Sequence, residues 1–204
     1  MPHDDTEEKY RSHYLTLPLS GLEEPLSEVE QLTQDTAHRF ASDVLRPAGA
    51  RIDQMNADDA VGPDSPLWPV IEQAAGLGLS VKSLLTMGPL ERQRILLIAA
   101  EELAWGDSGL AGIMLTSQMP GLFAALADNM AMVDYCDGKL GCWGITEPDH
   151  GSDSLDPGGT IAAADGDYGK ANCTARIEGE HIVINGQKSA WVSSAMTAQI
   201  SALY

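Results

Sequence analysis

Apolar positions recur at helical spacing through the first two thirds of the chain and in short, broken runs after it. Leu26, Val29, Leu32, Thr36, Phe40 and Val44 follow one another at three- and four-residue steps, the stripe of an amphipathic helix. Ser27-Glu28-Val29-Glu30 stands at its head and fits a capping box, in which the Ser side chain and the third-position Glu satisfy each other's free amides. Pro47 should kink or end this helix, because it has no N–H to donate. Ser65-Pro66 predicts a second helix start, followed by Leu67, Val70, Ile71 and Ala74, with Gly76 as the stop. Pro89 opens a third, running through Leu90, Leu97, Ala100 and Leu103 to about Trp105. Asp107 or Ser108 caps a fourth, with Leu110, Ile113, Met114 and Ser117 on one face, and Pro120-Gly121 should distort it before Leu122, Phe123 and Leu126.

The texture changes near Met130. Leu140 to Ile145, Cys173 to Ile177, Ile182 to Ile184 and Ala190 to Val192 read as strands. Glu178-Gly179-Glu180 and Asn185-Gly186 lie between the later ones, and Asn-Gly is the strongest short hairpin signal. Residues 154–171 are rich in Gly, Asp and Ala and read as a loop; Gly158-Gly159 lacks the spacing of a phosphate-binding turn. The expected organisation is a mobile acidic leader at 1–23, a helical domain at 24–135 and a domain of antiparallel strands at 136–204. That is an α+β layout with helices first.

Twelve Lys+Arg stand against 30 Asp+Glu, a net charge of -18. Nucleic-acid binding is excluded on that balance, since it needs cations to displace phosphate counterions. The acid excess reads as a solvated surface. Cys136, Cys142 and Cys173 are odd in number and form no CxxC pair, so neither a disulfide framework nor a zinc site is expected and a reducing cytoplasm is the natural location. The polar N-terminus does not resemble a signal peptide, and the most apolar stretch, Ile95 to Ala100, is too short to span a bilayer and is followed at once by Glu101 and Glu102.

Two segments are dense in chemistry. Trp143 to Asp153 joins a strand ending to a Pro turn and a Gly-Ser-Asp loop, which can display successive N–H groups and hydroxyls to an anionic or polar heterocyclic ligand. Glu147 and Asp153 within it are conceivable as an acid/base pair; His150 has no second His near enough to share a metal. The other segment, Asn185 to Ser194, sets Trp191 and Ser193 two positions apart, on one face if the chain is extended. That pair fits either a wall for a flat ring or an ordinary hairpin with a core Trp.

Thr146-Glu147-Pro148 with Gly151-Ser152-Asp153, Ile184-Asn185-Gly186-Gln187-Lys188 and Trp191-Val192-Ser193 occur in that order. Together they resemble the acyl-CoA dehydrogenase family, whose pattern is TEPxxGSD, (I/L)NGxK and W(I/V)(T/S). Phe40-Ala41 to Arg46-Pro47 and Glu101-Glu102-Leu103-Ala104 extend the resemblance, which covers about residues 24–204. It implies an N-terminal helical domain and a middle β-barrel domain, the latter incomplete here and truncated before a C-terminal helical bundle. FAD is the implied cofactor. Trp143, Ile145 and Thr146 would line its ring, Gly151 and Ser152 its pyrophosphate and the pantetheine of the substrate. Trp191 would pack on the ring and Ser193 would bond flavin N5, with Ser in place of the usual Thr. Residues 154–171 lengthen the stretch between the motifs beyond the family's usual spacing.

The resemblance implies α,β-desaturation of an acyl-CoA thioester, in lipid degradation, with electron-transfer flavoprotein as acceptor and a homodimeric or homotetrameric assembly. The family's Glu base has no counterpart within residues 1–204, so this chain alone is expected to be inactive. An oxygen-using relative, such as an acyl-CoA oxidase or flavin monooxygenase, and a non-catalytic partner subunit are the alternatives.

Overall fold

The computed structural model describes residues 25–151, 153, 156, 169–190 and 192–203. The expected leader 1–23, most of the loop 154–171, Ser152 and Trp191 lie outside the described residues. Helix α1 (Glu28–Phe40) begins with the expected capping box. The Glu30 amide donates to Ser27 Oγ at 3.3 Å, and the Ser27 amide donates to Glu30 Oε2 at 2.8 Å. Pro47 does not end the helix. A π turn over Ala41–Leu45 comes first, with the Arg46 amide reaching back five residues to the Ala41 carbonyl, and α2 (Arg46–Ile52) continues. The widened turn takes up the missing proline donor without breaking the rod.

A short α3 (Ala57–Ala60) leads to α4 (Leu67–Ala74), where Ser65 Oγ accepts from the Leu67 amide at 3.1 Å. The stop falls at Gly78, with φ of 68°, after a 3₁₀ turn over Ala75–Leu77 that includes Gly76. Next come α5 (Val81–Leu84), α6 (Pro89–Gly106), α7 (Ser108–Thr116), α8 (Met119–Leu126) and α9 (Met130–Cys136). Asp107 caps α7, its Oδ1 accepting from the Leu110 amide at 2.8 Å. The expected distortion appears as a break at Ser117-Gln118, which leaves Pro120 in the first turn of α8, where no donor is needed. The combined stretch Ser108–Leu126 is long and apolar enough to cross a bilayer by length and composition. Here it is two helices, α7 packed on α6 and α8 on β1, a use to which core helices also put such sequence.

The core lies where α1, the π turn and α2 cross α6, joined by α4 and α7. Ala37, Ala41, Leu45, Leu67, Val70, Ala99, Leu103 and Leu110 are buried there. Glu30 of α1 pairs with both Arg94 Nε and Arg94 Nη2 of α6. That hydrogen bond, with the Ser27 amide, holds the Glu30 carboxyl down at about 2. At Gly106 the helices approach closely: a Cβ there would stand 2.7 Å from the Ala41 Cβ and 2.8 Å from its Cα. Gly106→Ala should therefore push α6 from the π turn and cost about 1–3 kcal/mol, read as a lower urea midpoint at unchanged slope.

The strands follow the helices, as the pattern of the sequence predicts. They are β1 (Gly141–Gly144), β2 (Thr174–Glu178), β3 (His181–Asn185) and β4 (Ile200–Leu203). β2 and β3 form an antiparallel hairpin with Glu178 opposite His181. Its turn is Gly179-Glu180, with Gly179 at φ 61°, and not Asn185-Gly186. Gly186 serves a close approach instead: a Cβ on it would lie 2.4 Å from Cys173 Cα. β1 pairs with β4 in parallel, Gly141 opposite Ile200 through Gly144 opposite Leu203. The strand expected over Ala190 to Val192 is absent at Ala190 and Val192. Ser194 has a left-handed φ of 64°, which a strand does not accommodate, and the Thr197 amide closes a turn onto the Ser194 carbonyl at 3.0 Å. The chain becomes extended again only at β4.

Candidate functional site

β1 carries Trp143 beside α8 and releases the chain at Ile145. The Trp143 ring lies 5.5 Å from that of Phe123, tilted by 58°, and its Nε1 is buried with no partner among the described residues. The next two peptide units are pinned from the chain that follows β3. Lys188 Nζ donates to the Ile145 carbonyl at 3.1 Å, and the Ser189 amide donates to the Thr146 carbonyl at 2.8 Å. The Lys188 stem runs past Gly144, where a Cβ would come within 3.4 Å of its Cγ. The Thr146 amide and hydroxyl have no partner among the described residues.

Glu147 closes the arrangement. Its side chain is 1% exposed and accepts from Lys188 Nζ at 2.8 Å, the Asn172 amide at 2.6 Å and the Cys173 amide at 2.9 Å. Burial alone would raise its pKa; the Lys188 ammonium and the two amides outweigh burial and hold it at about 2. Its own amide donates to the His150 carbonyl at 2.8 Å, which folds Pro148-Asp149 into a tight loop. Asp153 fastens the far side, accepting from His150 Nδ1 at 2.7 Å, the Gly151 amide at 2.7 Å and the Gly169 amide at 3.1 Å. The His150 hydrogen bond, then these amides, bring Asp153 to about 2, and Asp153 in turn raises His150.

Glu147 and Asp153 are thus two anchors of one loop, each consumed by cations and amides, rather than an acid/base pair. Trp143 lies in β1, Ile145 and Thr146 follow directly after its last residue Gly144, and Gly151 sits in the anchored loop. Ser193 is exposed on the turn before β4, not on a strand face. The neighbouring Ser194 hydroxyl is buried without a partner, as is that of Ser189. Lys188, Ser189 and Ser194 are polar groups to which the sequence motifs alone attach no role; the signal is their place in the sequence directly after Asn185-Gly186 and around Trp191. The three cysteines are free, and no group of three metal-ligating side chains occurs among the described residues.

No protein-family model matches the chain. It is 28% identical over 191 residues to the human mitochondrial short-chain specific acyl-CoA dehydrogenase, covering 88% of this chain and 40% of that protein. Among solved structures it is similar to glutaryl-CoA dehydrogenase from Mycobacterium smegmatis, with TM-score 0.61 and 22% identity over 87% of this chain and 42% of the other. It is also similar to an FAD complex of PigA, with TM-score 0.60 and 21% identity over 88% and 44% of the two chains. The chain spans about two fifths of the length of these relatives. By these likenesses the chain has the acyl-CoA dehydrogenase-family fold.

Proposed function

We propose that the chain forms the flavin-binding part of an FAD-dependent oxidoreductase that introduces an α,β double bond into an acyl-CoA thioester. The observation that carries this reading is the end of β1. The Trp143 Nε1 is buried without a partner, and just beyond it the half-buried Thr146 has an amide and a hydroxyl with no partner among the described residues, next to the loop pinned by Lys188 and Ser189. Unsatisfied buried polar groups are costly, and a heterocycle with its own donors and acceptors relieves them. The residues present therefore fit a flavin. FAD, when bound, supplies the two-electron acceptor for hydride.

Trp143 offers an aromatic wall to the ring. The Thr146 N–H and hydroxyl suit its pyrimidine edge, where fixed donors favour the charge that reduction brings. On the motif resemblance, Gly151 and Ser152 lie by the pyrophosphate, and Trp191 and Ser193 complete the ring contacts; the Gly151 amide itself is taken by Asp153. Glu147 and Asp153 are both engaged, and on the motif resemblance no residue from 1 to 204 is assigned as the base that takes the α-proton. Electron-transfer flavoprotein as acceptor and a homodimer or homotetramer go with it.

Titration of the purified protein with FAD tests the proposal. Quenching of flavin and Trp fluorescence should saturate at one FAD per chain, and unchanged fluorescence at high FAD sinks the reading. Thr146→Val keeps the shape and removes the hydroxyl. It should weaken FAD about fivefold, the worth of one hydrogen bond near 1 kcal/mol.

A further inference from the structure

We propose that Lys188 is a positioning residue that aims and strengthens the Thr146 N–H as the donor to the flavin ring. The inference rests on the flavin-binding reading above and adds a role for a residue to which the motif resemblance assigns none. A trans peptide is planar, with its C=O and N–H on opposite sides. The unit joining Ile145 to Thr146 has its carbonyl held by Lys188 Nζ at 3.1 Å, so its N–H, that of Thr146, points away from the ammonium. The following unit is used at both ends: its carbonyl accepts from the Ser189 amide, and its N–H, that of Glu147, donates to the His150 carbonyl. Of these two successive donors only the Thr146 N–H is left open among the described residues.

A cation on a peptide carbonyl also draws electron density across the amide and makes the opposite N–H a stronger donor. The Lys188 charge thereby acts on a ligand through one peptide unit. Glu147 accepts from the same ammonium at 2.8 Å without being needed for its bond to the Ile145 carbonyl, and the Lys188 side chain is only 11% exposed, so the charge is poorly screened. A purely architectural role would require only that Lys188 tie β3's exit to Glu147. The positioning role requires the bond to the Ile145 carbonyl. The two differ in which partner matters.

Three variants separate them, compared with the wild type by FAD titration and by the flavin's reduction potential. Lys188→Met removes the bonds to the Ile145 carbonyl and to Glu147. Glu147→Gln removes the ion pair but leaves Lys188 able to reach the Ile145 carbonyl. The double variant Glu147→Gln/Lys188→Met contains no unpaired buried charge, and it decides the matter if Lys188→Met alone does not fold. Lys188→Met and the double variant should weaken FAD about tenfold and lower the potential, while Glu147→Gln stays within about twofold of the wild type. Wild-type affinity and potential in the Lys188→Met or double variant would overturn the proposal, as would a Glu147→Gln loss as large as theirs. A wild type that takes up no FAD refutes the flavin reading itself, and that arm is read first.

Discussion

Lys188→Ala should destabilise the protein by about 3 kcal/mol, the low end for breaking a buried ion pair, because two backbone amides still hold the carboxylate left behind. Glu147 is 1% exposed and would keep its bonds to the Asn172 and Cys173 amides while losing its cation. Urea unfolding followed by Trp fluorescence measures the loss. The pH dependence follows from the same contacts. Glu147 lies at about 2 in the fold against an ordinary 4.5, and Asp153 at about 2 against 3.8, so the folded state favours both charged forms. Their stabilisation is complete above about pH 4.5 and is lost as pH falls toward 2. His150 is raised above 6.5, so its contribution is complete below 6.5 and is lost as pH rises through its folded value. Stability of the loop should therefore be flat between roughly pH 4.5 and 6.5. Glu147→Gln should flatten the acid limb, and an acid limb of wild-type steepness in that variant would remove Glu147 as its source.

Leu103→Ala should cost about 2–5 kcal/mol and lower the melting temperature by at least about 4 °C. Leu103 is fully buried on α6, in the cluster that joins α1, the π turn, α4 and α7. The neighbouring positions Ala41 and Gly106 are already at contact distance, so the helices have no room to slide into the cavity. A melting point unchanged within a degree would mean that this crossing is not the core. Leu97 on the same helix is 53% exposed, and Leu97→Ala should have little effect.

The helix starts were legible in the sequence because their chemistry is local. Ser27 and Glu30, Ser65 and Leu67, and Asp107 and Leu110 satisfy one another within three residues, so the letters themselves state the geometry. The motifs after Trp143 and after Ile184 marked the segments that meet at the site. The resemblance they carry also indicated a fold that the comparisons bear out. The sequence did not reveal which polar groups are tools and which are fasteners. Glu147 and Asp153 read as a conceivable acid/base pair until Lys188, Asn172, Cys173 and Gly169 are seen against them, from 16 to 41 positions away along the chain.

Strand identity was likewise decided at long range. β1 finds its parallel partner at Ile200–Leu203, and the Leu140 amide bonds to Gln199 Oε1 across 59 positions, a pairing no local propensity encodes. The β2–β3 hairpin turns at Gly179-Glu180, while Asn185-Gly186, beyond β3, lies against Cys173 and leads into no further strand before β4 among the described residues. Pro47 passed through a helix because a π turn absorbed the missing donor while the Ala41–Gly106 contact held the rod in place. The sequence by itself determined where helices begin, that strands follow them, and which short segments carry the chemistry, since each depends on neighbours a few bonds away. The tertiary structure alone decided strand partners, the continuation past Pro47 and the tie from Lys188 to Ile145 and Glu147. In each of these the energy comes from burying groups that lie far apart in the chain.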